Sequence, residues 1–334
     1  MKLSDFDYNL PEDLIAQYPL TSRAEARLLV VDRTSGAITH DVFRNIGRYL
    51  PPHSLIVVNN SKVIPARLLG KKLRTGGRVE VFLLREIDPC HFEAMLRPLK
   101  KIQEGEVLEF PGGIRCTLVD RAKRIVRFAD RDVLKKLEKI GHIPLPPYIK
   151  RPDEPLDQEY YQTVYARRPG SVASPTAGLH FTKPLIASLK RAGHRFAQVT
   201  LHVNYGTFKP VETENIVDHP MHEEHYVITP AVAANIKSAK QIGRNVVAVG
   251  TTSCRTLEAY ARTGKLADAT RLFLYPGQDF RVVDVLITNF HLPRSTLLML
   301  VSAFGGLKLI RKAYAEAIRE KYRFYSYGDA MIIR

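Results

Sequence analysis

The chain contains few cysteines and no tryptophan. Its three cysteines, Cys90, Cys116 and Cys254, lie far apart among 334 residues and form no CxxC pair. The sequence therefore predicts neither a disulfide framework nor a cysteine-based zinc site, and it is typical of a reducing compartment. Acidic residues are also scarce, 34 against 50 lysines and arginines. The formal net charge of +16 favours a polyanionic partner, with nucleic acid as the first candidate.

Long hydrophobic runs are missing as well. The apolar stretch TLLMLVSAF at 296–304 is too short to cross a bilayer. The first residues, MKLSDFDYNLPEDL, lack the basic and apolar regions of a signal peptide. We therefore expect a cytoplasmic protein that does not associate with membranes, and we expect it to be a monomer.

The common signatures of nucleotide-binding enzymes and serine hydrolases are absent too. The sequence has no GxxxxGKS/T phosphate loop, no GxGxxG after a predicted strand and no GxSxG elbow. An enzyme with this sequence therefore belongs to a less common class.

The hydrophobic pattern that is present divides the chain into three parts. Residues 1–62 and 153–334 alternate strand-like and helix-like segments, which predicts one mixed α/β main domain. Residues 63–152 consist of short alternating segments between Gly and Pro turns, which predicts an inserted small antiparallel β-barrel domain. Five prolines within 142–155 predict a stiff linker at the end of the barrel.

Polar loops follow three of the predicted strands of the main domain. They are NYGTF at 204–208, TTSCR at 251–255 and HLPRST at 291–296. Ligands of α/β folds bind at the carboxyl ends of strands, so we expect these loops to share one site. Thr251 and Thr252 before a predicted helix, with Arg255, could hold a carboxylate. Ordinary capping of the helix is the alternative for these hydroxyls.

His180 lies in the segment ASPTAGLHFT, just before a helix that we expect Thr182 to cap. A helix N-terminus lowers the pKa of a nearby histidine because it disfavours the charged form. We therefore expect His180 to be neutral and to act in proton transfer, and a histidine that only packs is the alternative. Ser295 is expected to cap the next helix, which leaves Arg294 and His291 for ligand contacts.

The segment DHPMHEEH at 218–225 allows a metal site. Its histidines at 219, 222 and 225 and its two glutamates could supply ligands, although the spacing is not HExxH. The residues alone leave this alternative open.

Strings along almost the whole chain resemble one family, the S-adenosylmethionine:tRNA ribosyltransferase-isomerases of queuosine biosynthesis. The resemblance is carried by DYNLPEDLIAQYP, NNSKVIPARL, PLPPYI, YQTVYA, SPTAGLHFT, GTFKPV, HPMHEEHY, VAVGTTSCRTLEA, TNFHLPRSTLLMLVSAFGG and YRFYSYGDAMII. The chain departs from the family's pattern at Ser174, Asn204, His225 and Cys254. His225 is dropped as a functional candidate for that reason.

The resemblance implies transfer and isomerisation of the ribosyl part of S-adenosylmethionine onto 7-aminomethyl-7-deazaguanine at the tRNA wobble position. Epoxyqueuosine-tRNA forms, and adenine and methionine leave. S-adenosylmethionine is then a co-substrate, no further cofactor is needed and no metal is expected. A non-catalytic tRNA-binding protein and a metal-dependent RNA hydrolase are the alternatives.

The resemblance and the chemistry together suggest residue roles. The sulfonium acidifies C5′–H, so histidines are candidates for the proton transfers. The catalytic candidates are His180, His202, His219, His222 and His291. The substrate-binding candidates are Thr176, Tyr205, Gly206, Thr207, Thr251, Thr252, Arg255, Asn289, Phe290 and Arg294. For the tRNA phosphates, the candidates from the basic stretches are Lys71, Lys72, Arg74, Arg78 and Arg97.

Overall fold

A large mixed sheet and a small closed barrel organise the fold. The computed structural model of the chain describes residues 1–203 and 211–334. Within these ranges the sheet has nine strands and the barrel has six. The predicted fold class, a mixed α/β part with an inserted antiparallel barrel, is confirmed.

The large sheet has a parallel centre and antiparallel edges. Its strands are β1 (Arg27–Val31), β2 (Ile38–Val42), β3 (Leu55–Asn59), β12 (Arg195–Leu201), β13 (Glu224–Val227), β14 (Val246–Val249), β15 (Ala267–Thr270), β16 (Val285–Asn289) and β17 (Ala330–Ile333). Their spatial order is β15-β13-β12-β3-β14-β16-β17-β1-β2. The run β12-β3-β14-β16 is parallel throughout, so the carboxyl ends of these four strands meet at one edge.

Helices cover both faces of the sheet, so its central strands are apolar on both sides. Leu55 and Val57 of β3 face one core, whereas Ile56 and Val58 face the other. The helices of the main part are α2 (Pro155–Tyr160), α3 (Lys183–Arg191), α4 (Pro230–Gln241), α5 (Gly250–Thr263), α6 (Thr296–Gly305) and α7 (Leu307–Arg319). Thr182 caps α3 and accepts a hydrogen bond from the backbone N–H of Leu185, as predicted.

The barrel is filled by alternating apolar side chains. Its strands are β5 (Arg67–Lys72), β6 (Arg78–Glu86), β7 (His91–Arg97), β8 (Val107–Glu109), β9 (Arg115–Asp120) and β10 (Ile125–Phe128), followed by helix α1 (Val133–Ile140). Leu68, Val81 and Phe92 point inward and are buried. The short strands β4 (Ser61–Val63) and β11 (Arg168–Ser171) pair in parallel outside the barrel. The domain boundaries after residues 62 and 152 stay predictions.

The proline-rich segment 142–155 is packed, so the prediction of a linker was wrong. Ile143 and Ile149 are buried in a cluster with Tyr161. Arg151 binds both carboxylate oxygens of Asp157 at 2.7 and 2.8 Å. The prolines stiffen a segment that apolar contacts and this ion pair attach to the main part.

The helices within residues 1–203 and 211–334 are all too short or too polar to cross a bilayer.

Candidate active site

A pocket opens where the parallel strands end. It is lined by Val203 after β12, Gly250–Thr252 after β14 and Thr288–Leu292 at the end of β16, together with residues 173–177. Its empty volume is about 650 Å³. Two of the three polar loops therefore meet as predicted. The third loop, with Tyr205, Gly206 and Thr207, lies outside the described residues.

Two helices begin at this pocket. Helix α5 starts at Gly250, so Thr251 and Thr252 lie inside its first turn and do not precede it as predicted. The backbone N–H groups of a first helical turn have no partner within the helix and attract anions. The Thr252 hydroxyl oxygen is buried and has no hydrogen-bond partner among the described residues. Ser295 caps α6 as predicted, by accepting from the backbone N–H of Leu298 at 3.2 Å.

Asn289 connects the pocket to a buried histidine. Its side-chain oxygen accepts a hydrogen bond from the Thr176 hydroxyl at 2.9 Å. Its side-chain nitrogen lies 3.1 Å from Nε2 of His180 and donates to the backbone oxygen of Asp329 at 3.2 Å. This amide orientation makes Nε2 of His180 an acceptor. Thr176 and Asn289 line the pocket, and His180 lies one hydrogen bond behind it.

His180 is held in an apolar environment. It ends a short 3-10 helix, Thr176–His180, and its ring packs 5.0 Å from the ring of Phe43. Burial lowers the pKa of His180 to about 4, and a hydrogen bond to the backbone of Arg23 opposes that shift. The predicted direction of the pKa shift agrees, but burial is its principal cause in place of the helix N-terminus. Its ring faces a smaller cavity beside Arg23 and Tyr327 and does not line the main pocket.

His291 lies in the pocket wall itself. Burial lowers its pKa to about 3, so the ring is neutral at pH 7. Nε2 lies 2.7 Å from the Thr288 hydroxyl, and Nδ1 has no hydrogen-bond partner among the described residues. Tyr8 donates to the backbone oxygen of His291, and the backbone N–H of His291 donates to the hydroxyl of Tyr314. The main chain of His291 is therefore fixed from both sides.

Sequence reasoning missed an aromatic wall. Tyr148 and Tyr325 line the pocket with ring centroids 4.6 Å apart, and the Tyr148 hydroxyl lies 2.6 Å from that of Ser326. Both residues belong to motifs that carry the resemblance, PLPPYI and YRFYSYGDAMII, which was the available signal. Phe290, one of the predicted substrate-binding residues, is also among the residues that line the pocket. Its ring is fully buried against core rings, Tyr314, Tyr322 and Phe324, and its contact with the substrate stays a prediction.

Other predicted substrate residues lie away from the pocket. Arg255 is buried and forms an ion pair with Glu224, while its Nη2 has no hydrogen-bond partner among the described residues. Its contact with a substrate carboxylate stays a prediction. Arg294 forms an ion pair with Asp7 at the surface. Neither arginine lines the pocket in the described part of the chain.

Three predicted catalytic histidines also lie outside the pocket wall that the structure describes. They are His202, His219 and His222. His202 follows β12, and burial lowers its pKa. His219 packs 6.0 Å from the ring of Phe273. Within residues 1–203 and 211–334, no group of three or more His, Cys, Asp or Glu side chains is placed to hold a metal ion.

The basic side chains predicted to bind tRNA all belong to the barrel, but they differ in their partners. Lys72 is largely buried and pairs with Glu106 at 2.9 Å. Lys71 is exposed and lies 3.5 Å from Glu109. Arg74, Arg78 and Arg97 are exposed and have no ion-pair partner in the described part of the chain.

A mixed sheet covered by helices, with an inserted barrel and a pocket at the carboxyl ends of its parallel strands beside the neutral ring of His291, is typical of an α/β enzyme. The chain belongs to the family described as queuosine biosynthesis protein, whose model matches residues 3–333. The resemblance that the motifs indicated is thereby confirmed.

Individual relatives are similar along their full length. A relative from Sulfurihydrogenibium sp., named S-adenosylmethionine:tRNA ribosyltransferase-isomerase, is 50% identical over 335 residues, which cover 100% of each chain. A relative of the same name from Carboxydothermus hydrogenoformans is 52% identical, again over 100% of each chain. The crystal structure of S-adenosylmethionine tRNA ribosyltransferase from Thermotoga maritima is similar with a TM-score of 0.57 and 37% identity, over 99% of this chain and 100% of that one.

Proposed function

We propose that the chain is an S-adenosylmethionine:tRNA ribosyltransferase-isomerase. It transfers the ribosyl part of S-adenosylmethionine to 7-aminomethyl-7-deazaguanine at the wobble position of tRNA, and it releases adenine and methionine. The observation that carries this proposal is the pocket, in which an anion site, a neutral histidine and an aromatic wall converge. The co-substrate presents a carboxylate, an acidified C–H and a sulfonium, one feature for each of these elements.

The methionine carboxylate belongs at the start of α5. The N–H groups of Thr251 and Thr252 are unpaired within the helix, and the buried Thr252 hydroxyl can donate to an oxygen. The partial positive charge of the helix end favours an anion there. The sulfonium then faces the rings of Tyr148 and Tyr325, because aromatic faces attract cations.

His291 is our candidate for the general base. Its ring is neutral at pH 7 and lines the pocket, and its Nδ1 can accept a proton in the tautomer whose Nε2–H donates to the hydroxyl oxygen of Thr288. Removal of the C5′ proton lets adenine leave the sugar. The substrate amine attacks the opened sugar, and closure of the epoxide expels methionine. Asn289, held by Thr176 and His180, is placed to position the sugar or adenine.

The test is to incubate the purified chain with S-adenosylmethionine and tRNA carrying the 7-aminomethyl-7-deazaguanine base, and to measure free adenine. We expect adenine release that requires the modified base and continues after exhaustive chelation. Binding of tRNA without adenine release would favour a non-catalytic tRNA-binding protein. Cleavage of the RNA that stops on chelation and returns with zinc would favour a metal-dependent hydrolase. We further expect a monomer in the cytoplasm.

A further inference from the structure

The outer face of the barrel carries apolar side chains where β5, β6 and β7 lie side by side. Outward positions of a barrel strand in water are ordinarily polar. The strand registers place six outward residues in two rows across the three strands, Arg67–Phe82–Met95 and Leu69–Glu80–Arg97. Three of these six side chains are apolar, and Leu69 is 44% exposed. This face therefore differs from an ordinary solvated barrel surface.

The proline-rich segment turns the apolar face into a pocket. Residues 143–147 and Ile149 form one wall, and Phe82, Met95 and Arg97 lie opposite. The empty volume of this barrel pocket is about 860 Å³. This volume includes space open to solvent and exceeds that of a nucleobase-sized ring system, and Phe82 and Met95 form an apolar floor.

The charged side chains that line the barrel pocket are Arg67, Arg97, Arg151, Glu80 and Asp153. Arg151 pairs with Asp157, and the Asp153 carboxylate lies 2.9 Å from Nδ1 of His142 and accepts from the backbone N–H of Ile143. Arg67 is held by Glu80 through two hydrogen bonds at 3.0 and 3.3 Å. Arg97 is exposed and has no hydrogen-bond or ion-pair partner in the described part of the chain. Arg78 starts β6 on the same outer face, one row beyond Arg97. An apolar floor with a cationic rim is the arrangement by which proteins bind unpaired nucleotides, since the base stacks and the phosphate meets the cation.

The two pockets lie on the same segment of chain. Tyr148 lines the active-site pocket, whereas its neighbours Pro147 and Ile149 line the barrel pocket. One residue of extended chain spans only about 3.5 Å. The two pockets therefore adjoin this one segment, an arrangement that suits a loop nucleotide next to the wobble base.

We propose that the barrel pocket binds one unpaired nucleobase of the tRNA anticodon loop, with Arg97 at its phosphate and Met95 in the floor under the base. This inference rests on the proposed function for the identity of the RNA. The adenine ring of S-adenosylmethionine has similar chemistry and is the rival ligand.

The test combines changes in the RNA with changes in the protein. Anticodon stem-loops are prepared with a single abasic site at each loop position in turn, and their Kd values are measured by fluorescence anisotropy. For the unmodified protein, we expect one loop position at which the abasic site raises Kd by roughly 5- to 150-fold, the range for loss of one stacked base. For Met95→Glu and Arg97→Gln, the intact stem-loop should bind more weakly, and the abasic site at that position should add little further loss.

The matched control is Arg127→Gln. Arg127 is an exposed outward residue of β10 that pairs with His91, at the opposite end of β7 from Arg97, and the substitution removes the same charge. It should keep the full sensitivity to the abasic site. Met95→Ala replaces Met95→Glu if thermal melting shows that the carboxylate prevents folding.

Two results would overturn the proposal. One is an abasic effect of the same size in the variants as in the unmodified protein. The other is a raised Kd for S-adenosylmethionine in the variants with unchanged RNA binding, which would assign the pocket to the co-substrate. Because the readout is RNA binding, the result stands independently of adenine release, and a failure of the proposed reaction remains distinguishable.

Discussion

Asn289 and His180 form a hydrogen-bonded pair. Asn289 lines the pocket, and His180 holds the Asn289 side chain from behind. Nε2 of the buried His180 ring is engaged by Asn289, and a hydrogen bond to the backbone of Arg23 also acts on this ring. We therefore infer that His180 acts through Asn289, as a positioning residue, and not by direct proton transfer as the sequence suggested.

A double-variant cycle tests this role. Asn289→Ala should lower kcat/KM by about 5- to 150-fold, the cost of losing one buried hydrogen bond. His180→Ala should lower it as well, and the double variant should be little worse than Asn289→Ala, because the two residues act in series. Losses that multiply in the double variant would show that His180 acts on the substrate directly. Adding S-adenosylmethionine at saturation separates weaker binding from slower turnover.

The burial of His180 also predicts a pH dependence of stability. The unfolded chain takes up a proton at this residue near pH 6.5, whereas the folded chain does so only near pH 4. The stabilisation is therefore complete above about pH 6.5 and is lost as the pH falls towards 4. Relative to His180→Gln, the unfolding free energy of the unmodified protein should fall by up to about 1.4 kcal/mol per pH unit in that window. Urea unfolding of both proteins between pH 4 and 6.5 measures this difference. If the unfolding free energies of the two proteins change in parallel with pH, the lowered pKa of His180 is contradicted.

At the scale of elements, the first turn of α5 is the predicted carboxylate site. Thr252→Val removes the buried hydroxyl with little change of shape and should raise Kd for S-adenosylmethionine about 10- to 150-fold, the cost of losing a hydrogen bond to a charged group. Ser253→Ala is the matched control, since Ser253 also has a buried hydroxyl without a partner among the described residues and does not line the pocket. An analogue of the co-substrate that lacks the carboxylate should bind both variants equally. If Thr252→Val weakens the binding of S-adenosylmethionine and of the analogue by the same factor, the carboxylate binds elsewhere.

Periodicity and capping residues made most elements predictable from the sequence. Thr182 and Ser295 cap helices where the sequence indicated, and the short alternating segments indicated the barrel. The start of α5 was misplaced because Gly250, with φ +85°, turns directly from strand to helix and leaves no room for a Ser or Thr cap. Local sequence carries no signal for such an abrupt junction.

Contacts between distant segments were not predictable. Arg255 resembles a free ligand group in the sequence, but the partner of its guanidinium is Glu224 on β13, which only the folded sheet brings close. Tyr148 and Tyr325 come together from segments 177 residues apart. Their role in the pocket wall depends on the packing of the proline-rich segment, which composition alone presented as a linker.

At the scale of the whole molecule, the net charge of +16 predicts a strong salt dependence of tRNA binding. The cations that contribute should be those without partners. Neutralising Arg74 and Arg78 should flatten the slope of log K against log salt by up to roughly 0.7 for each phosphate of single-stranded RNA that is no longer neutralised. Lys72→Gln is the control, because the Lys72 ammonium is already paired with Glu106. The salt dependence of tRNA binding should have the same slope in this variant as in the unmodified protein. Equal slopes for all three variants would place the tRNA surface outside this end of the barrel.

Release of adenine tests the proposed reaction most directly. Purified protein, S-adenosylmethionine and tRNA carrying the 7-aminomethyl-7-deazaguanine base should yield adenine and methionine in equal amounts, with one modified tRNA per adenine. Unmodified tRNA should yield none, and His291→Gln should slow the release by about 10²- to 10⁴-fold, the usual contribution of a general base. Intact S-adenosylmethionine after incubation with the modified tRNA and folded protein would contradict the proposed function.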